Sequence, residues 1–153
     1  MSHEFLVNNQ VMITVVIAWA TAQILKTLIY LRVEKTFRPE RLVGSGGMPS
    51  SHSSSVCALA TSAAFMYSVH SFEFTISFVL AAIVMHDAMG VRLETGKQAR
   101  VLNALLEENP FEWQGEVFEQ NLKELVGHTP LQVVCGAVLG VLIAVILELA
   151  VFA

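Results

Sequence analysis

Two polar stretches stand where apolar helices should begin, and each carries a histidine. The first is Gly46-Gly47-Met48-Pro49-Ser50-Ser51-His52-Ser53-Ser54-Ser55; the second is Gly127-His128-Thr129-Pro130-Leu131-Gln132. Free backbone N–H groups and the positive end of the helix dipole meet at such a turn, which is the local environment an anion such as phosphate needs. Two imidazoles at sites of this kind point to phosphoryl chemistry.

The elements that must position them are membrane helices. Of 153 residues, 54% are apolar and only 14% are charged, against roughly 25% charge in a soluble domain. The length suits one unit, and 1–153 reads as a single membrane-embedded domain. Four stretches approach the ~20 residues needed to cross the hydrocarbon: spans near 11–31, 53–69, 74–91 and 131–153. The second is short and rich in Ala and Ser, as suits a helix packed inside a bundle. Lys26 lies close enough to the end of the first span to snorkel. That first span lacks the basic leader and small-residue cleavage site of a secretory signal and is expected to stay in the protein. Cys57 and Cys135 have no metal-ligand or redox spacing and read as reduced core residues. The chain carries no repeat and no nucleic-acid signature.

All nine Lys and Arg fall in two segments, Lys26 to Arg41 and Arg92 to Lys123. The positive-inside rule puts both in the cytoplasm and the N-terminus outside. Both histidine islands and Arg92 then share the cytoplasmic face. Between the third and fourth spans, interfacial helices are expected near 96–108 and 113–126, the first with Val101, Leu102, Leu105 and Leu106 on one side. In the last span His128, Gln132, Gly136, Gly140 and Ala144 recur every four residues. The small residues suit a close helix contact that would hold His128 at the mouth. The fold class is therefore all-α: a polytopic membrane bundle of about four spans with cytoplasmic interfacial helices.

Pro49-Ser50-Ser51-His52 resembles the Pro-Ser-Gly-His signature of the type-2 phosphatidic acid phosphatase and vanadium haloperoxidase superfamily. The run from His128 to Gly140 resembles its later signature, a histidine followed four residues on by an acid and then by a glycine-rich helix. The strongest resemblance is to the divergent branch of small membrane proteins. It is carried by Gly46 to Ser53, Asp87-Ala88-Met89-Gly90-Val91-Arg92, Gly96-Lys97-Gln98-Ala99, Leu102-Asn103 and Gly127 to Pro130, and it covers most of the chain from Gln23 onward. The resemblance implies that His128 is the nucleophile that becomes phosphorylated and His52 the acid that protonates the leaving oxygen. It implies no metal and no cofactor. Gly47, Ser50, Ser51, Arg41 and Lys97 are the candidate phosphate-binding residues, with Lys26 as a further cationic neighbour.

Three positions depart from the superfamily. Leu122 stands six residues before His128, where an Arg is usual, and Arg92 is the replacement candidate. Leu31 stands where the lysine that precedes Arg38-Pro39 belongs. Gln132 replaces the carboxylate that would orient the nucleophile. A glutamine carbonyl can accept the imidazole N–H but does not stabilise imidazolium; the acid-to-amide change in a hydrolase triad costs about 10⁴ in turnover. Asp87, beside His86 near the end of the third span, could pair with Arg92, bind a proton or stand in for that carboxylate. Gln98 and Asn103 have no assigned chemistry and read as ties between an interfacial helix and the core.

The resulting expectation is a lipid phosphate or isoprenoid diphosphate phosphatase working through a phosphohistidine at the cytoplasmic face. The alternative is a weak or inactive homologue that binds a lipid headgroup or a partner protein. A transporter fits less well, because four spans leave little room for an inverted repeat. Membrane lipids are the expected surroundings, and a homodimer would complete a bundle smaller than the superfamily's usual six spans.

Overall fold

The computed structural model describes residues 9–35, 47–108, 122 and 127–152, and five α-helices account for nearly all of them, with no strand among them. They are α1 (Gln10–Glu34), α2 (Ser51–Tyr67), α3 (Phe72–Met89), α4 (Val91–Glu108) and α5 (Pro130–Ala150). Helices over Gln10–Glu34, Phe72–Glu107 and Pro130–Ala150 are long and apolar enough to cross a membrane, the middle one joining α3 and α4. The protein is an all-α membrane bundle.

Short polar side chains set the helix starts. Asn9, Ser50, Ser71 and Thr129 each accept a hydrogen bond from a backbone N–H in the first turn of α1, α2, α3 and α5. Because Ser50 is the cap, α2 begins at Ser51, two residues before the expected boundary, and His52 lies in its first turn. Pro130 opens α5, where its missing N–H costs nothing. Gly90 ends α3 by donating to the His86 carbonyl, yet its own carbonyl accepts from Glu94 N–H. The chain therefore turns at that single residue, and α4 starts at Val91, five residues before the expected interfacial helix. On α4, Ala99 and Asn103 are buried while Val101, Leu102 and Leu105 are exposed. The second expected interfacial helix, 113–126, lies outside the described residues except for Leu122, whose backbone N–H and C=O both bond the Asn103 side-chain amide at 2.9 Å.

α2 is the centre, packed against α1, α3 and α5, and α1 also packs on α5. At 17 residues it spans only about 25 Å. It can sit inside the bundle because its faces are small. A Cβ added to Gly136 would fall 2.3 Å from the Ser50 carbonyl oxygen, and one on Gly140 would fall 2.1 Å from that of Ser54. α2 and α5 thus run side by side in the same direction with backbones nearly touching, as small residues permit in lipid. α1 runs against them: Ser54 donates its hydroxyl to the Ala18 carbonyl at 3.1 Å. Ala18, Ala58 and Ala144, all 0% exposed, form the dry centre. Large apolar side chains such as Trp19, Ile24, Phe78, Ile83, Leu142 and Ile146 face outward, the arrangement expected where the surroundings are acyl chains.

Candidate active site

His52 enters from the first turn of α2 and His128 from the turn before α5. Their ring centroids are 6.1 Å apart and their planes meet at 75°. Two local contacts fix His128. Its backbone N–H donates to the Ala88 carbonyl at 3.0 Å, tying the turn to the end of α3. Gly127 adopts φ +86 directly against the α3–α4 corner, where an added Cβ would lie 2.4 Å from the Leu93 nitrogen; glycine is required both by the left-handed backbone and by the space.

The rings share a cavity of about 230 Å³ with Ile83, Val84, Asp87, Ala88, Arg92 and Gly127. Asp87, at the end of α3, accepts a charge-assisted hydrogen bond from Arg92 Nε at the start of α4, so the pair spans Gly90. Both remain partly open to solvent, with side-chain exposures of 53% for Arg92 and 38% for Asp87. The guanidinium is thereby held beside the cavity with further N–H groups available to an oxyanion.

His128 is 2% exposed, and neither ring nitrogen has a hydrogen-bond partner among the described residues. Burial, reinforced by the charges of Lys26, His52 and Arg92, lowers its pKa from 6.5 to about 4. An imidazole shifted this far is neutral at physiological pH and keeps a lone pair on one ring nitrogen.

Gln132 does not orient that ring. Its side-chain carbonyl accepts from Thr129 N–H at 3.1 Å, completing a capping box in which Thr129 Oγ1 accepts from Gln132 N–H. Its backbone carbonyl accepts from Ser50 N–H at 3.0 Å and so joins the two histidine-bearing turns. Ser50, expected against phosphate, is 0% exposed and faces inward, its hydroxyl accepting from both the N–H and the hydroxyl of Ser53. Capping claims that hydroxyl because the first turn of α2 is buried and its N–H groups need internal partners. Ser51 is also buried, at 2%. Lys97 is on the exposed side of α4, paired with Glu94 at 2.7 Å, and does not line the cavity. Arg41 lies outside the described residues.

The sequence gives Lys26 too little weight. It is 3% exposed instead of reaching for water, and Gly47, at φ +85, covers its stem: an added Cβ there would meet Lys26 Cγ at 3.3 Å. Lys26 ends a four-residue ladder on α1, Thr14, Ala18, Ala22, Lys26, all buried. That periodicity, which continues a small-residue face into a cation, was the available signal. Cys57 and Cys135 are both free thiols.

A model of the divergent PAP2 family matches residues 7–143, taking in both histidine turns, the Asp87–Arg92 corner and Lys26. The chain belongs to the divergent PAP2 family. It is also similar to a protein of Bacillus subtilis (strain 168) described as "Uncharacterized membrane protein YuiD", with 35% identity over 151 residues, covering 93% of this chain and 96% of the relative. No solved structure matches. Membership in the divergent PAP2 family accounts for the order of the motifs along the chain; the geometry above states what those motifs bring together.

Proposed function

We propose that the protein is a membrane-embedded phosphatase acting on a lipid phosphate or isoprenoid diphosphate, without metal, at the cytoplasmic face. The observation that carries this reading is the pair of imidazoles 6.1 Å apart on a cavity that also holds Arg92 and Asp87. A phosphoryl group between the rings is within reach of both, as nucleophilic attack and proton delivery require. In the first half-reaction the neutral His128 ring nitrogen forms a bond to phosphorus as the bond to the leaving oxygen breaks, and His52 gives that oxygen its proton. In the second, His52 takes a proton from water, the water oxygen bonds to phosphorus, and the P–N bond breaks to release inorganic phosphate. Arg92, held by Asp87, and the buried Lys26 charge balance the oxyanion.

The test is phosphate release by the purified chain in nanodiscs, with phosphatidate and polyprenyl diphosphate as substrates. His128→Ala should remove turnover and acid-labile phosphoenzyme together. His52→Ala should slow alkyl phosphates by at least the 10²-fold typical of general-acid loss, and should be largely relieved on p-nitrophenyl phosphate, whose leaving group needs no proton.

A second reading, headgroup or partner binding without turnover, draws on the covering of His128 and on the engagement of Gln132 in a cap. It is favoured if wild type and His128→Ala are equally inert while phosphate still binds and Arg92→Ala weakens that binding.

A further inference from the structure

At the end of the bundle away from the histidines lies a second polar layer that the proposed reaction does not use. The α2–α5 offset that seats Gly136 on Ser50 and Gly140 on Ser54 brings Ala144 to Ala58 and, one turn on, Glu148 to Ser62. α1 runs the other way, so one turn beyond Ala18 in that direction is Thr14. The next turn beyond the cluster of Ala18, Ala58 and Ala144, on the side away from the histidines, thus carries Thr14 on α1, Ser62 on α2 and Glu148 on α5. Thr14 and Ser62 are 0% exposed and Glu148 is 9% exposed. Thr14 Oγ1, Ser62 Oγ and Glu148 Oε1 have no hydrogen-bond partner among the described residues.

The hydroxyls are unusual within this chain. Thr27, Ser55, Thr61, Thr75, Ser77 and Thr95 all donate to the carbonyl four residues earlier, at 2.7–2.9 Å, the ordinary resolution for Ser and Thr in apolar helices. Thr14 and Ser62 do not make that bond. An ionised carboxylate in such surroundings costs several kcal/mol unless neutralised. Of the described Lys and Arg residues, Lys26, Arg32 and Lys35 lie at the histidine end of α1 and Arg92, Lys97 and Arg100 lie on α4, none of them on α2 or α5, and the titratable groups of the near turn, His70 and Glu73, are exposed.

We propose that Glu148, Ser62 and Thr14 form a binding site for one small monovalent cation, of which Na+ is the representative. One carboxylate supplies one negative charge, and two hydroxyls turned from their own helices supply neutral oxygen donors. A Ca2+ site would call for more carboxylates and a larger oxygen shell. A cation there ties α1, α2 and α5 together, the three helices whose other ends carry Lys26, His52 and the turn of His128.

The experiment is unfolding of the full chain in nanodiscs, with NaCl exchanged for choline chloride at fixed ionic strength, beside 22Na+ binding. The expected result is one Na+ per chain and a melting temperature that climbs with the logarithm of Na+ concentration. Glu148→Gln should abolish both responses. Ser62→Ala and Thr14→Val, which keep shape and fold, should each weaken Na+ at least tenfold. Equal stability in Na+ and choline, or an unaltered Na+ response in Glu148→Gln, overturns the site. So does a protonated-carboxyl infrared band, removed by Glu148→Gln, that persists in saturating Na+, because the occupant is then a proton.

Discussion

Gly136→Ala is the substitution that couples packing most directly to the histidine pair. The added Cβ falls 2.3 Å from the Ser50 carbonyl oxygen and 3.1 Å from Ser50 Cβ, whereas a carbon and a carbonyl oxygen settle no closer than roughly 3.3 Å. α2 and α5 must therefore part by about 1 Å, and no flexible side chain is there to yield. Overpacking on this scale costs about 1–3 kcal/mol. Ser50 is also the residue whose N–H reaches the Gln132 carbonyl, and His52 follows two residues later, so the shift widens the gap between the rings. A 1 Å misplacement of reacting groups costs about 10²-fold in rate. Gly140→Ala is the control: its Cβ would fall 2.1 Å from the Ser54 oxygen, an equal insult to packing but one turn deeper. Both variants should melt lower by similar amounts in nanodiscs, and Gly136→Ala should lose more phosphate release at a temperature where both are folded. Wild-type melting of Gly136→Ala would refute the backbone contact, and equal activity losses would refute its link to the site.

The remaining expectations are quick to check. The folded pKa of His128 lies below its unfolded value, so the unfolded chain takes up its proton first; stability is present in full above pH 6.5 and declines as pH falls toward about 4, by on the order of 3 kcal/mol, a slope that His128→Ala should remove from pH-dependent unfolding. Gln132→Glu preserves the capping box, so turnover should stay within about twofold of wild type; a large acceleration measured by phosphate release would mean that the residue faces the imidazole after all. Arg92→Lys should leave the melting temperature nearly unchanged, because exposed ion pairs contribute about 0–1 kcal/mol, but should lower kcat/KM at least tenfold through loss of the planar phosphate fork. Asn103→Ala removes two hydrogen bonds to the Leu122 backbone and should increase protease access to the α4–α5 connection, with a loss of about 1–3 kcal/mol in unfolding.

Much of this architecture is visible in the sequence because bilayers impose strong patterns. Long apolar runs with polar caps have few alternatives to helix, and Gly136 and Gly140 at four-residue spacing announce a close contact. The neighbourhood of His52 and His128 was legible through motif order, since each motif opens a helix whose packed face was already apparent. What the sequence hid depends on where a side chain turns once its helix is docked. Ser50 looks like an anion ligand, but a buried first turn needs its hydroxyl as a cap. Gln132 looks like a partner for His128, but its side-chain oxygen is taken up locally by Thr129 N–H. Lys26 looks like a residue reaching for water, yet it lies on the same face as Ala22 and Ala18, and packing of that face takes the cation inside. Glu148 escaped notice because one acid in a long apolar helix has no pattern until its burial, and that of Thr14 and Ser62 without hydrogen-bond partners, is seen in the docked helices.

Ile83 is a wall of the histidine cavity and is also 61% exposed on the outward face of α3. One side chain thus lines the cavity and the outer surface of the bundle, so the chamber opens beside the apolar face of α3. On the reading proposed above, an amphiphile lodges its phosphate here while its tails remain solvated by neighbouring lipid, and nothing needs to be hauled out of the bilayer. Each methylene withdrawn from that medium would cost about 0.8 kcal/mol, a toll that lateral docking escapes and a water-borne ester never meets. Among substrates already resident in the bilayer, tail length should then matter little, in capture as in bond breaking.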